Sequence, residues 1–158
     1  MTTALLAAPA EAGPVSHTAA AGTQALPSSF PWSSSGRLIS PEPDASHNVV
    51  SVKDPSVVYA NGRWHVFMTT ANTARGWSMA YTSFSDWSRA SSAPLTYLDT
   101  NPNIGTGYRA APQVFHFAPK NQWYLVHQTG RPSYSTSSDP GNPKSWSAPK
   151  DFQTNNRC

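Results

Sequence analysis

Lys53-Asp54-Pro55-Ser56-Val57-Val58-Tyr59-Ala60-Asn61-Gly62-Arg63-Trp64-His65-Val66-Phe67 is the stretch that decides the fold. Val57-Val58-Tyr59 and Trp64-His65-Val66-Phe67 are β-branched and aromatic runs, and Asn61-Gly62 between them supplies the two residues that most readily adopt positive φ. That pattern predicts a tight antiparallel hairpin. A third run, Ala80-Tyr81-Thr82-Ser83, and then Asp86-Trp87-Ser88 complete a unit. The same order recurs about 55–60 residues later as Ala111-Pro112-Gln113-Val114, Gln122-Trp123-Tyr124-Leu125, Ser133-Tyr134-Ser135-Thr136 and Ser145-Trp146-Ser147.

Each copy reads as a strand opening at a proline, a hairpin to a strand opening at tryptophan, a third strand carrying tyrosine, and an outer segment ending in Trp-Ser. An all-β unit of about four strands at a period of 40 to 60 residues is the mark of a β-propeller blade. The expected strands are 56–59, 64–70, 78–84, 113–117, 123–128 and 133–136. A two-sheet sandwich built from the same strands is the alternative. Propellers use roughly 4 to 8 blades, so two blades leave a ring open.

Outward from the repeat, residues 26–56 carry Pro27, Pro31, Pro41, Pro43 and Pro55, which argues against a long helix. Residues 13–25 are Ala, Thr, Gly and Ser with little to bury. Ahead of them, the apolar Ala4–Ala8 and the small residues of Ala10-Glu11-Ala12 fit a secretion signal that lacks its basic region. The expected organisation is therefore a leader and linker over 1–25, the N-terminal part of a propeller domain over 26–152, and a separate tail over 153–158. The protein is expected to be secreted.

Charged residues make up 12% of the 158, against 11% aromatic, the profile of an extracellular β protein. The net charge is +3, but the eleven Lys and Arg are scattered singly, so no basic face for nucleic acid is expected. The single cysteine, Cys158, excludes a disulfide within the chain and a thiolate metal cluster. No run approaches the roughly 20 apolar residues of a membrane helix.

A wider series of residues carries a family resemblance. It comprises 26–34 (Leu-Pro-Ser-Ser-Phe-Pro-Trp-Ser-Ser), 53–59 (Lys-Asp-Pro-Ser-Val-Val-Tyr), 85–88 (Ser-Asp-Trp-Ser), 105–115 (Gly-Thr-Gly-Tyr-Arg-Ala-Ala-Pro-Gln-Val-Phe) and 146–150 (Trp-Ser-Ala-Pro-Lys). In this order the series resembles glycoside hydrolase family 62, near-continuously from Leu26 to Phe152. The resemblance implies a five-bladed propeller that removes L-arabinofuranose side groups from arabinoxylan with inversion. It implies an Asp general base on the first blade, an Asp that tunes pKa on a later blade and a Glu general acid further on. The base maps onto Asp54. No cofactor is required, although a calcium ion in the central channel is possible in the full-length family fold. After Phe152 the tail departs from the family pattern, so the 158-residue polypeptide is expected to be an incomplete and inactive copy. A carbohydrate-binding module without catalysis is the alternative.

Inverting hydrolysis needs two carboxyl groups about 6.5–9.5 Å apart, one protonated toward the leaving oxygen and one ionised to activate water. Glu11 and Glu42 lie outside the repeat, which leaves Asp54, Asp86, Asp99, Asp139 and Asp151 as candidates. Asp54 stands at the expected start of a first strand, the strand that lines the channel of a propeller. The competing reading is a turn acid capping the strand. Asp86, Asp139 and Asp151 read as turn acids, and Asp99, before Gly105, as a solvated loop acid, with a place facing the cleft as the alternative.

Lys53 places a cation beside Asp54, which favours the ionised carboxylate, or it binds a sugar hydroxyl. Tyr108 and Arg109 follow Gly105-Thr106-Gly107 and offer a phenol and a planar guanidinium to sugar hydroxyls; packing of the arginine on an aromatic is the competing reading. Gln113 occupies the second-copy position of Ser56 and is expected to point its amide into the channel. Trp64, Trp123, Trp87 and Trp146 recur in pairs and read as core. Trp77 has no counterpart in the second copy and is the candidate sugar-stacking platform. His47, His65, His116 and His127 show no metal-ligand spacing.

Overall fold

The computed structural model describes residues 28–153 apart from Arg75. The expected leader over 1–25 and the tail beyond Gln153 lie outside the described residues. The chain divides into two units, Met1–Ser34 and Ser35–Cys158. In the first, the rings of Phe30 and Trp32 stack at 6.2 Å. The second carries all the strands among the described residues.

Those strands form two four-stranded antiparallel sheets, each a simple meander in chain order. The first holds β1 (Val49–Ala60), β2 (Arg63–Asn72), β3 (Trp77–Phe84) and β4 (Thr96–Tyr97). The second holds β5 (Ala110–Phe117), β6 (Gln122–Gln128), β7 (Pro132–Ser137) and β8 (Lys150–Asp151). Short 3-10 helices over Trp87–Ser92 and Leu98–Thr100 flank β4. The two copies of the repeat thus become two sheets of matching topology. The expected hairpin forms: Ala60 pairs with Arg63, and Asn61 and Gly62 take φ of 50° and 73°, as a type I′ turn requires.

β1 starts well before the expected Ser56. It runs from Val49 straight through Asp54-Pro55, and its register with β2 shifts between Lys53 and Ser56. Asp54 has φ 51° there, and Ala111, its counterpart before Pro112, has φ 52° in the register shift of β5. A bulge takes these residues out of the ladder, so each proline sits inside a strand without breaking it. Asp54 is consequently at a bulge within β1, not at its beginning.

β2 is buried on both faces along Val66-Phe67-Met68-Thr69, which explains its lack of period-two alternation. Phe67, Met79 and Tyr81 of the first sheet pack with Val114, Leu125 and Trp146 of the second region, and Leu98 and Ile104 complete the cluster. Trp146 meets Phe67 edge to face at 5.6 Å. Val66, Met68, Ala80, Phe84 and Tyr97 form a second cluster on the other face of the first sheet. Two side chains lock the sheets together: Ser56 Oγ accepts from Val114 N at 2.9 Å, and Thr69 Oγ1 accepts from Ala111 N at 2.8 Å.

The recurring tryptophans do not share one environment. Trp146 is fully buried, Trp64 and Trp123 are partly buried against the two clusters, but Trp87 is 37% exposed. It opens a 3-10 helix and packs edge-on against Phe84 and tilted against Trp64, so it caps the sheet surface instead of filling the core.

Candidate active site

The bulge at Asp54 turns its side chain out of the ladder and into solvent-accessible space. Its Oδ2 lies 3.7 Å from Lys53 Nζ, and both side chains are close to half exposed. The same ammonium stands 4.2 Å from the centroid of the Trp77 ring, a cation–π contact that holds the lysine between acid and aromatic. Adjacent residues on a regular strand point to opposite faces; the irregular backbone at Asp54 lets Lys53 and Asp54 act together.

Trp77 forms one wall of an open cleft of about 390 Å³, lined also by Asn72, Gly76, Ser78, Asp99, Gly107 and Tyr108. The turn before Trp77 is built tightly. Asn72 Oδ1 accepts from Gly76 N at 2.7 Å, and a Cβ at position 76 would lie 2.7 Å from Asn72 Nδ2. On the far side, Tyr108 is 43% exposed and donates to Gln128 Oε1 at 3.0 Å. A second groove of about 270 Å³, lined by Ile39, Val52, Val66, Met68 and Lys53, is apolar apart from that lysine.

Arg109 does not reach into the cleft as a free guanidinium. Nε and Nη2 donate to Ile104 O at 3.2 and 2.9 Å, and Nη1 donates to Tyr108 O at 2.8 Å, so the fork closes the 104–109 loop that presents Tyr108. Gln113 lies exposed on β5 opposite Val126 and is not among the residues that line the cleft. The structure therefore links Asp54 to Trp77 through Lys53, sets Trp77 and Tyr108 in one cleft whose lining includes neither Asp54 nor Lys53, and places Arg109 as a loop brace.

The other acids sort by their partners. Asp86 accepts from Ser88 N at 2.8 Å, and its pKa is lowered first by the Ser88 side chain and then by this backbone bond; Asp139 accepts from Gly141 N at 2.8 Å, and both are turn acids as expected. Asp151 lies on β8 and accepts from Ser133 Oγ. Asp99 departs from the solvated loop expected of it. It sits in the cleft wall with its side chain 19% exposed and bonded to His47 Nε2 at 3.1 Å. His47 Nδ1 faces Asp44 at 2.8 Å, and its ring stacks on Tyr97 at 3.9 Å. Asp44 was not among the acids singled out from the sequence; the Asp-Ala-Ser-His spacing after Pro43, which folds as a turn with Asp44 Oδ1 accepting from Ser46 N and His47 N, is the signal that would have found it. His65 is structural, bonded to Tyr81 Oη at 2.7 Å and Ala60 O at 3.1 Å.

Among the described residues, no group of three or more His, Cys, Asp or Glu side chains is arranged to hold a metal ion.

The sequence profile of glycosyl hydrolase family 62 matches residues 31–156, which is most of the chain. The chain belongs to glycosyl hydrolase family 62. It is 43% identical over 117 residues to alpha-L-arabinofuranosidase C of Cellvibrio japonicus, covering 74% of this chain and 17% of that protein. Among solved structures, the catalytic domain of the Coprinopsis cinerea family 62 alpha-L-arabinofuranosidase is 56% identical with a TM-score of 0.76. The match covers 82% of this chain and 40% of that one. The alpha-L-arabinofuranosidase of Podospora anserina, solved with cellotriose, is 49% identical with a TM-score of 0.69, covering 74% and 36%. A family 62 hydrolase solved with xylotriose is 46% identical with the same TM-score, covering 75% and 35%. This family 62 chain thus spans less than half the length of these relatives.

Proposed function

We propose that this chain carries the general-base side of an arabinofuranosidase site, with Asp54 as the base and the Trp77–Tyr108 cleft as the saccharide platform. The observation that supports this most directly is the arrangement Asp54–Lys53–Trp77, in which one ammonium touches a carboxylate and an aromatic wall. Sugars are gripped by stacking of their apolar faces on aromatic rings and by hydrogen bonds to their hydroxyls, and the cleft offers both. The carboxylate then takes a proton from a water attacking the anomeric carbon as the leaving oxygen departs on the opposite face. That geometry is inverting, and it requires a second carboxyl group, protonated, about 6.5–9.5 Å away.

Of the two glutamates, Glu11 lies outside the described residues, and Glu42 lies in the segment ahead of β1 and accepts from Leu95 N. On this reading the polypeptide by itself binds but does not turn over, the two sheets are the first two blades of a five-bladed propeller, and the acid comes from residues outside these 158. The substrate is arabinoxylan, met outside the cell; the xylotriose and cellotriose bound by two relatives favour a β-1,4-linked backbone. The test is calorimetric titration of the chain with arabinosylated xylotriose. Binding that Trp77→Ala and Tyr108→Phe each weaken supports the proposal, and binding indifferent to both sinks it.

A further inference from the structure

His47 presents both ring nitrogens to carboxylates: Nδ1 lies 2.8 Å from each oxygen of Asp44, and Nε2 lies 3.1 Å from Asp99 Oδ1. An ionised carboxylate only accepts. A neutral imidazole has one donor and one lone pair, so either tautomer would aim a lone pair at an acid. Only the imidazolium, with two N–H groups, satisfies both contacts. Its face stacks on Tyr97 at 3.9 Å and 15°, a geometry that favours a cation over the ring, and Tyr97 Oη is itself held by Glu42 O.

We propose that His47, as an imidazolium bridging Asp44 and Asp99, is a positioning residue for saccharide binding: it fixes the Asp99 carboxylate in the cleft wall beside Trp77 and Tyr108. The proposal rests on the saccharide reading of that cleft. The bridge links residues 52 apart in sequence, from the arm before β1 to the 3-10 helix after β4. Asp99 uses Oδ1 on His47, which leaves Oδ2 to accept from a sugar hydroxyl. Loss of the bridge frees the Asp99 side chain to rotate, and the ordering of that acceptor must then come from the ligand's binding energy.

The groups facing His47 are Asp44 on its own arm, Asp99 and Tyr97, with Glu42 beyond the tyrosine. Partial burial lowers the His47 pKa, but the Asp44 bond and the Asp99 and Asp44 charges outweigh it, and the net shift is upward from the ordinary 6.5. The bridge is therefore complete below pH 6.5 and lost as pH rises through the raised value.

Two measurements on the 158-residue chain decide the matter. Long-range ¹H–¹⁵N spectra of the histidine rings should show both nitrogens of His47 protonated at pH 6.5, with a titration midpoint above 6.5 that falls in Asp44→Asn. Asp44 is about half exposed, so that variant leaves the fold intact. Affinity for arabinosylated xylotriose should drop about threefold to tenfold as pH rises through the same midpoint, the scale of one charge-assisted bond at a partly exposed site. In His47→Gln, affinity should be weak and flat across that range. A His47 that is neutral at pH 6.5, or a His47→Gln chain with unchanged affinity and pH profile, overturns the positioning role alone. Wild-type chain that binds at no pH overturns the saccharide reading and the positioning role together.

Discussion

Asp54, the proposed base, combines a half-exposed carboxylate beside Lys53 with a backbone in the left-handed region, at φ 51°. Asn tolerates that region better than most residues, so Asp54→Asn removes the base without disturbing the bulge. In an enzyme completed with its acid, that substitution should reduce turnover by roughly 100-fold or more, measured as arabinose release. The candidate base and its lysine were legible because Lys53-Asp54-Pro55 stands in the repeat, and Trp77 because it breaks the repeat. The bracing role of Arg109 was not legible because its carbonyl partner, Ile104, is set by loop closure, which no local pattern encodes. Asp99 and Asp44 were hidden for a related reason: their meeting at His47 depends on where a proline-rich arm lies. The pair also makes stability pH-dependent. The hydrogen bond from His47, with those from the backbone, lowers the Asp44 pKa from 3.8, so its contribution is present above 3.8 and lost as pH falls through the lowered value. His47 contributes below 6.5 and loses its contribution as pH rises through its raised value. Melting temperatures should therefore be less pH-dependent in His47→Gln at both ends of this window.

At the scale of elements, the repeat, the Asn61-Gly62 hairpin and six of the strands could be read directly, because alternation, turn chemistry and tryptophan spacing are local signals. β4 and β8, two residues each, could not, since so short an edge is fixed only by pairing with β3 and β7. The start of β1 was misplaced because a proline normally marks a strand end, and the bulge that lets the strand continue is a conformational fact. Ala111 bears the cost of that bulge without the polar side chain that eases Asp54 into it. Ala111→Gly should therefore stabilise the chain by up to about 1 kcal/mol, since an alanine at positive φ is strained by roughly 1–2 kcal/mol and the gain is offset by glycine's freedom when unfolded. The inter-sheet bonds give the opposite sign: Ser56→Ala leaves the buried Val114 N–H without its acceptor and should cost about 1–3 kcal/mol. Denaturant midpoints at constant slope would check both.

For the molecule as a whole, the two sheets stand or fall through one cluster. Trp146 is fully buried between Phe67 and the second sheet, and Trp146→Ala should cost about 3–5 kcal/mol, seen as loss of cooperative unfolding. In the second sheet, Phe115 is exposed, while Tyr124 and Tyr134 are half-buried and Tyr134 packs against Phe152. On the proposed reading, these 158 residues hold the base and the saccharide platform but not the acid. Its most direct test is to incubate the purified chain with wheat arabinoxylan and quantify free arabinose against a buffer blank. The expected result is no release above the blank. Release that rises with protein concentration and vanishes in Asp54→Asn would contradict it, and would mean that an acid among the other aspartates serves the reaction.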